Sequence, residues 1–331
     1  MKAVTTSLQV ETGMRNETIK FRRRLLAWYG QHQRDLPWRA NRDPYRVWLS
    51  EIMLQQTRVA AVIEHYNEFL RRFPAVEKLA RAREASVLAA WSGLGYYRRA
   101  RMMHAAAKVI VREHGGKFPV TEEGLRKLPG IGRYTAAAIA SIAFGEPVAV
   151  VDGNVERVLQ RVSGRQLAGE ELWGTANHML DTKRPGDFNQ AMMELGAVVC
   201  TPRAPGCLTC PVIELCATRG ELAATTKVAS QKKREINYSM LCRDSEIFLI
   251  QRSRDASLMP GMWELPERAE RNGSANPEFT LRHSITVTDY TVRVWRDTLP
   301  CVDGKWIPVS RLKQVALTGL ARKILRKAAI L

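Results

Sequence analysis

No run in this 331-residue sequence approaches the ~18 to 20 consecutive apolar residues that a membrane span needs. The first 20 residues are polar and carry none of the apolar core of a secretory signal. Both absences lead us to expect a cytoplasmic protein. There is no internal repeat and no low-complexity tract, so the chain reads as ordinary packed domains. Its 45% hydrophobic content is enough to build their cores. Acidic residues are the scarcer charge: 33 Asp and Glu stand against 51 Lys and Arg, for a formal net charge of +18. Solubility does not require such an excess. It raises the local concentration of polyanions, of which nucleic acid is the commonest.

Cysteine is sparse and unevenly placed. Four of the six fall within 17 residues, at Cys200, Cys207, Cys210 and Cys216, spaced C-x6-C-x2-C-x5-C. In a reducing compartment such a cluster indicates metal or redox chemistry rather than disulfides. Pro202, Pro205, Gly206 and Pro211 bend the chain around a small object. Thiolates are soft ligands and suit iron–sulfur clusters and zinc alike. Spacing alone does not separate the two. Cys242 and Cys301 fall in strand-like segments and read as buried small hydrophobes.

The hydrophobic period divides the chain. Residues 1–20 read as a flexible tail. Residues 21–220 are helical throughout, with helices expected around 45–57, 86–91, 100–113, 121–128 and 133–144. Asp43-Pro44 supplies a cap and a first-turn proline. Residues 221–235 are polar and Lys-rich, a linker. Alternation then replaces the helical period, giving strands at 237–242, 247–251 and 285–295 before a last helix at 315–329. The expected architecture is an all-α domain followed by a small α+β domain over 236–331.

Three features carry chemistry. Leu128-Pro129-Gly130-Ile131-Gly132 joins two helices within 121–145, and its glycines permit positive φ and close approach of backbone N–H groups to an anion. The second helix adds its N-terminal dipole. Glu51 follows Val47 and Trp48 and precedes Leu54 on one helical face, surroundings that raise a carboxyl pKa. Asp152 stands at a helix start, where an ionised carboxylate is favoured and capping is common. A proton donor and an anion suit cleavage of a glycosidic bond.

Ser50-Glu51-Ile52-Met53-Leu54-Gln55-Gln56-Thr57, Leu36-Pro37-Trp38-Arg39, Gly93-Leu94-Gly95-Tyr96-Tyr97, Val151-Asp152-Gly153-Asn154 and Phe188-Asn189-Gln190-Ala191-Met192-Met193 resemble motifs of the MutY family. These are adenine DNA glycosylases of the endonuclease III, or helix-hairpin-helix, superfamily. The cysteine spacing and the hairpin resemble that superfamily too. The resemblance covers residues 21–220. It implies a helix-hairpin-helix glycosylase domain with an iron–sulfur loop at 200–216, one [4Fe–4S] cluster and no nucleotide cofactor. It further implies that Glu51 protonates a flipped adenine while Asp152 stabilises the sugar cation. Tyr134 and Asn154 would position Asp152 and water. Arg34, Trp38, Arg39 and Gln190 would line the base pocket. Gln56, Thr57, Leu94, Gly95 and Tyr96 would fill or wedge the duplex near the opposite base, and Gly130 and Gly132 would grip a phosphate. Endonuclease III enzymes carry a lysine nucleophile at position 134. Tyr134 cannot form an imine, so the expected product is an abasic site without strand cleavage.

Gly261-Met262-Trp263-Glu264-Leu265-Pro266 resembles the family's Nudix-like C-terminal domain, without the acidic catalytic box. The family reads 8-oxoguanine with a Phe-Ser-His turn. Here His283 and Ser284 precede Ile285-Thr286-Val287, which offers the Thr286 hydroxyl and lacks the second histidine. The implied partner is duplex DNA with A:8-oxoguanine or A:G mispairs, bound by a monomer in a bacterial-type, nucleoid-associated cytoplasm. Runs such as Arg22-Arg23-Arg24, Arg98-Arg99-Arg101 and Lys232-Lys233-Arg234 are candidates for phosphate contact. Other readings are a thymine or uracil mismatch glycosylase of the same superfamily, and a non-catalytic iron–sulfur DNA-binding sensor.

Overall fold

The structure, a computed structural model, describes residues 2–222, 232–268, 276–285, 288–300 and 302–331. The helices among them are α1 (Lys2–His32), α2 (Pro44–Leu54), α3 (Val59–Arg72), α4 (Val76–Arg81), α5 (Glu84–Trp91), α6 (Arg98–His114), α7 (Glu122–Arg126), α8 (Arg133–Phe144), α9 (Gly153–Ser163), α10 (Gly169–Met179), α11 (Pro185–Val198) and α12 (Gly319–Lys327). The strands are β1 (Lys232–Met240), β2 (Cys242–Arg243), β3 (Glu246–Gln251), β4 (Trp263–Glu264), β5 (Phe279–Ile285), β6 (Thr288–Arg296) and β7 (Lys305–Pro308). None of the helices is long and apolar enough to cross a membrane.

Local chemistry sets the helix ends that matter for the site. Asp43 caps α2 by accepting from the amides of Tyr45 and Arg46, with Pro44 in the first turn. Thr121 caps α7 through the Gly124 amide. Asp152 caps α9. Gly145 and Gly164 close α8 and α9 in the left-handed conformation, which glycine adopts without strain. α1 runs through the stretch read from composition as a tail, and described burial begins at Thr18 and Phe21.

The chain divides into two compact units, Met1–Gln56 with Val109–Thr225, and Thr57–Lys108 with Thr226–Leu331. In the first, one core gathers Phe21, Leu25 and Trp28 of α1 with Val155, Val158 and Leu159 of α9 and Phe188, Met192 and Leu195 of α11. α11 packs closely on α9. A Cβ at Gly196 would stand 2.6 Å from the Asn154 Cβ and 2.9 Å from its carbonyl oxygen.

The second unit holds two small sheets. In one, β6 lies between β1, its parallel partner, and β5, its antiparallel partner. In the other, β3 pairs with β2, β4 and β7. Tyr238, Met240, Val292 and Val294 face Leu317, Leu320 and Ile324 in its core. β5 is an edge strand, and α12 covers that edge: Lys323 Nζ donates to the Arg282 carbonyl (2.6 Å) and Lys327 Nζ to that of Thr280 (2.8 Å). Helices α3 to α5 and the start of α6 group with these sheets. The buried Tyr97 hydroxyl donates to the Leu317 carbonyl (2.8 Å), and Arg322 Nε donates to Ser92 Oγ (2.9 Å).

Two strand readings change. The strand expected over 285–295 divides, with Ile285 ending β5 and β6 running from Thr288; β5 was not visible as a strand because Arg282, His283 and Ser284 interrupt its apolar pattern. Cys242 is exposed rather than buried, since β2 is a two-residue strand whose residues both face solvent. Cys301, Thr286 and Val287 lie outside the described residues, as does 223–231 of the expected linker.

The α9–α11 contact sets the first prediction. Gly196→Ala forces the two helices apart against backbone, and is expected to lower stability by about 1–3 kcal/mol, read as a shifted urea midpoint at unchanged slope.

Candidate active site

Glu51 is 6% exposed on α2, between the fully buried Trp48 and Met53. α8 packs against this helix. It brings Tyr134 to Glu51, whose Oε2 accepts from the Tyr134 hydroxyl at 2.5 Å. The Glu51 carboxyl is raised to about 7: burial acts most strongly, the tyrosine hydrogen bond opposes it, and nearby Asp152 adds to the rise against Arg39. The same burial, with Glu51 and Asp152 beside it, drives the Tyr134 phenol well above its usual value. Tyr134 therefore holds Glu51 in this structure, whereas the sequence expectation assigned it to Asp152.

Asp152 is the N-cap of α9. Its Oδ1 caps α9, accepting from the Asn154 and Val155 amides at 2.9 and 2.8 Å. Its Oδ2 accepts from Asn154 Nδ2 at 2.8 Å. These bonds fix the carboxylate at the positive end of the helix, and its charge acts on Glu51. Asn154 is thus bonded to Asp152 through both its backbone and its side chain. Asn189, 2% exposed, fixes the approach to the cap: its Oδ1 accepts from the Val150 amide and its Nδ2 donates to the Val148 carbonyl.

Arg34 and Arg39 are engaged by a group that sequence reading missed. Glu194, 1% exposed on α11, accepts from Arg34 Nε (2.7 Å), Arg34 Nη2 (2.8 Å) and Arg39 Nη2 (2.8 Å). Burial pushes its carboxyl up, but the two guanidinium groups outweigh this and hold it at about 2. Arg39 also lies over the Tyr29 ring, 5.5 Å from its centroid. Trp38 is buried, and Gln190 is half-buried on α11. Glu194 sits in a sequence stretch that reads as plain amphipathic helix, so only a buried-position count on α11 would have singled it out.

The cysteine loop is tied to this cluster. Arg157 on α9 donates to the Cys200 carbonyl (2.7 Å), the Gly196 carbonyl (2.5 Å) and Asn154 Oδ1 (2.8 Å). Arg161, 5% exposed, reaches Cys200 Sγ (3.3 Å) and the carbonyls of Thr201 and Pro202. Cys200, Cys207, Cys210 and Cys216 line one open recess with Val158, Leu195 and Val212. Burial, followed by the neighbouring thiols, raises the Cys210 thiol to about 11. Among the described residues no three His, Cys, Asp or Glu side chains are arranged around a single metal ion. The four thiols share this recess with the Arg161 guanidinium, a donor set whose chemistry suits a group bound through thiolates.

The hairpin follows α7. Gly130 adopts φ +74°, and both Gly130 and Gly132 are exposed. Gly132 is different from expectation: its φ of −87° and ψ of 176° are extended backbone open to any residue. What its lack of a side chain provides is clear space, since a Cβ there would meet nothing within 4 Å. It caps α8, whose first amides have no acceptor within the helix.

The other expected residues divide by unit. Gln56, exposed with φ +56°, ends the first unit's α2 segment. Thr57, Leu94, Gly95 and Tyr96 belong to the second unit, where they gather round Arg99; Leu94 is buried and Tyr96 is 50% exposed. Also in the second unit, His283 lies on β5 opposite Tyr290. Burial, then Lys323, lowers its pKa. The Ser284 hydroxyl donates to Asp289 Oδ1. Thr286 lies outside the described residues.

The helical hairpin, the capped Asp152 and the buried Glu51 lie within one unit. Residues 49–170 match the family described as "HhH-GPD superfamily base excision DNA repair protein", and the chain belongs to that superfamily. Its similarity to curated proteins is more specific. It is 49% identical over 229 residues to the adenine DNA glycosylase of Homo sapiens, covering 65% of this chain and 42% of that protein. With the adenine DNA glycosylase of Arabidopsis thaliana it shares 39% identity over 302 residues, 76% of this chain and 48% of that protein. The chain spans less than half the length of either. The solved structure of a thermostable thymine-DNA glycosylase superposes with a TM-score of 0.59 at 30% identity, covering 62% of this chain and 98% of that one.

The Glu51 carboxyl links stability to pH. Below its usual value near 4.5 both folded and unfolded chains hold the proton. As pH rises towards about 7 the unfolded chain loses it first, so stability falls. Above that value the loss is complete, on the order of 3 kcal/mol. Glu51→Gln is expected to match wild type in urea midpoint at pH 4.5 and exceed it at pH 8. An equal difference at both pH values would show that burial does not hold the proton.

Proposed function

We propose that the chain is a monofunctional DNA glycosylase that hydrolyses the N-glycosidic bond of adenine mispaired with 8-oxoguanine or guanine. The observation that carries this is the buried Glu51 carboxyl at about 7, bonded to Tyr134 and electrostatically coupled to Asp152. In the proposed reaction Glu51 gives its proton to the leaving base as the glycosidic bond breaks. Asp152, held by Asn154 and the start of α9, opposes the positive charge on the sugar. Water adds at the sugar carbon, and its spare proton returns to the Glu51 carboxylate. Glu51 thus ends as it began. Tyr134 offers a phenol where imine chemistry would need an amine, so the product is an intact strand with an abasic site. The +18 charge, the hairpin and the names of the human and Arabidopsis relatives support duplex DNA and adenine as the substrate.

We further infer that Cys200, Cys207, Cys210 and Cys216 hold one [4Fe–4S] cluster, for which the shared recess and the Arg161 contact are the support. Such a group supplies a rigid anchor for the loop; Arg157 then carries that rigidity to Asn154 and Asp152. Iron and sulfide analysis with a visible spectrum tests this, with about four of each per chain expected.

Single-turnover assays on defined duplexes test the reaction. Adenine is expected from A:8-oxoguanine and A:G, at a rate that falls above about pH 7 as Glu51 ionises. Glu51→Gln is expected to bind duplex while losing at least ~100-fold in rate. Thymine released from T:G in preference to adenine would favour the alternative suggested by the thymine-DNA glycosylase likeness. Efficient borohydride trapping of a protein–DNA adduct would contradict the monofunctional assignment.

A further inference from the structure

Arg99 belongs to a basic run that reads as a phosphate contact, yet the structure turns it inward. Arg98 beside it is exposed, and Arg101 is bonded to Glu84 and to the Pro260 carbonyl. Arg99 instead lies over two aromatic rings, 5.5 Å from the centroid of Trp91 and 5.6 Å from that of Tyr96. Its Nη2 donates to the carbonyls of Leu94 (3.1 Å) and Gly95 (3.4 Å) and to Thr57 Oγ1 (3.3 Å). Burial lowers its pKa to about 10.

The turn it holds is unusual. Gly93, Gly95 and Tyr96 adopt φ of +115°, +69° and +47° in succession. Tyrosine rarely takes that conformation, and here its ring is half in solvent. Trp91 is fully buried and donates from Nε1 to the Gly95 carbonyl (3.2 Å), so one face of the clamp is anchored in the core. A free tyrosine on a glycine turn would lose rotational freedom on entering a base stack; a ring already held by a cation loses less.

We propose that Arg99 is the positioning residue of Tyr96: its guanidinium fixes the exposed ring and the turn beneath it in the orientation that enters a base step of duplex DNA, and it does not bind phosphate. This rests on the reading of the chain as an enzyme that extrudes a base from duplex DNA.

The test uses the full chain and a duplex carrying 2-aminopurine in place of the target adenine, whose fluorescence rises on unstacking. Arg99→Met is expected to cut that rise and to slow single-turnover excision about ten-fold. Arg99→Lys, which keeps the charge without the plane, is expected to behave alike and serves if the first variant does not fold. In both, the slope of log affinity against log salt should stay at the wild-type value. By contrast, Arg98→Gln should flatten it by up to ~0.9, the share of one phosphate contact. Combined with Tyr96→Ala, Arg99→Met should add no further loss. A flattened slope in the Arg99 variants, full additivity with Tyr96→Ala, or no fluorescence rise with wild type would each overturn the assignment. Absence of adenine release by wild type refutes the proposed reaction on its own, while slope and fluorescence, which need no turnover, still decide the clamp.

Discussion

A carboxyl group can sit inside a helical wall either by keeping its proton or by finding cations, and this protein does both within one unit. Glu51 is enclosed by Trp48, Met53 and the packing of α8, with a tyrosine hydroxyl as its hydrogen-bond partner, and rises to about 7. Glu194 is also enclosed, but Arg34 and Arg39 converge on it and hold it at about 2. The difference lies in the partners, since desolvation pushes both groups the same way. Arg39 meets Glu194 directly and reaches Glu51 only through its field. Moving that guanidinium towards Glu51 would remove the proton on which the proposed chemistry depends.

The excess of basic residues has a second use besides attracting a polyanion. Arg34, Arg39, Arg157 and Arg161 are structural braces in the first unit, and Arg99 and Arg322 in the second. A guanidinium offers five donors in a plane and stacks on aromatic rings, so one side chain can tie several carbonyls together. Arg157 does this between the Cys200 carbonyl, the Gly196 carbonyl and Asn154. Lysine would reach one of these acceptors and leave the others to water. Net charge therefore overstates how much positive charge is available at the surface.

Local signals were legible where a residue acts alone. Asp43-Pro44, the turn at Gly130 and the α8 boundaries could be read because capping and turns depend on a few neighbouring residues. The apolar surroundings of Glu51 and the cap at Asp152 were legible from their helical neighbours. Glu194, Asn189, Arg157 and the inward turn of Arg99 were not, because each bonds to residues that are distant in sequence. The grouping of 57–108 with the C-terminal sheets was hidden for the same reason. Helical periodicity is continuous from α2 to α6 and says nothing of which partner each face finds. β5 escaped notice because an edge strand capped by lysines need not alternate cleanly.

In the proposed reaction Tyr134 offers a phenol where an amine would be needed to join the protein to the sugar. A phenol locked onto Glu51 makes no such attachment. On the proposed reaction the duplex leaves with a gap in its coding face and an unbroken backbone, and the protein keeps no covalent hold on it. Such a gap is itself a hazard to any copying machinery. The safety of the repair then depends on how long the spent complex lingers and on a separate strand-cutting catalyst arriving before it lets go, so slow release would protect the strand rather than reflect a defect of turnover.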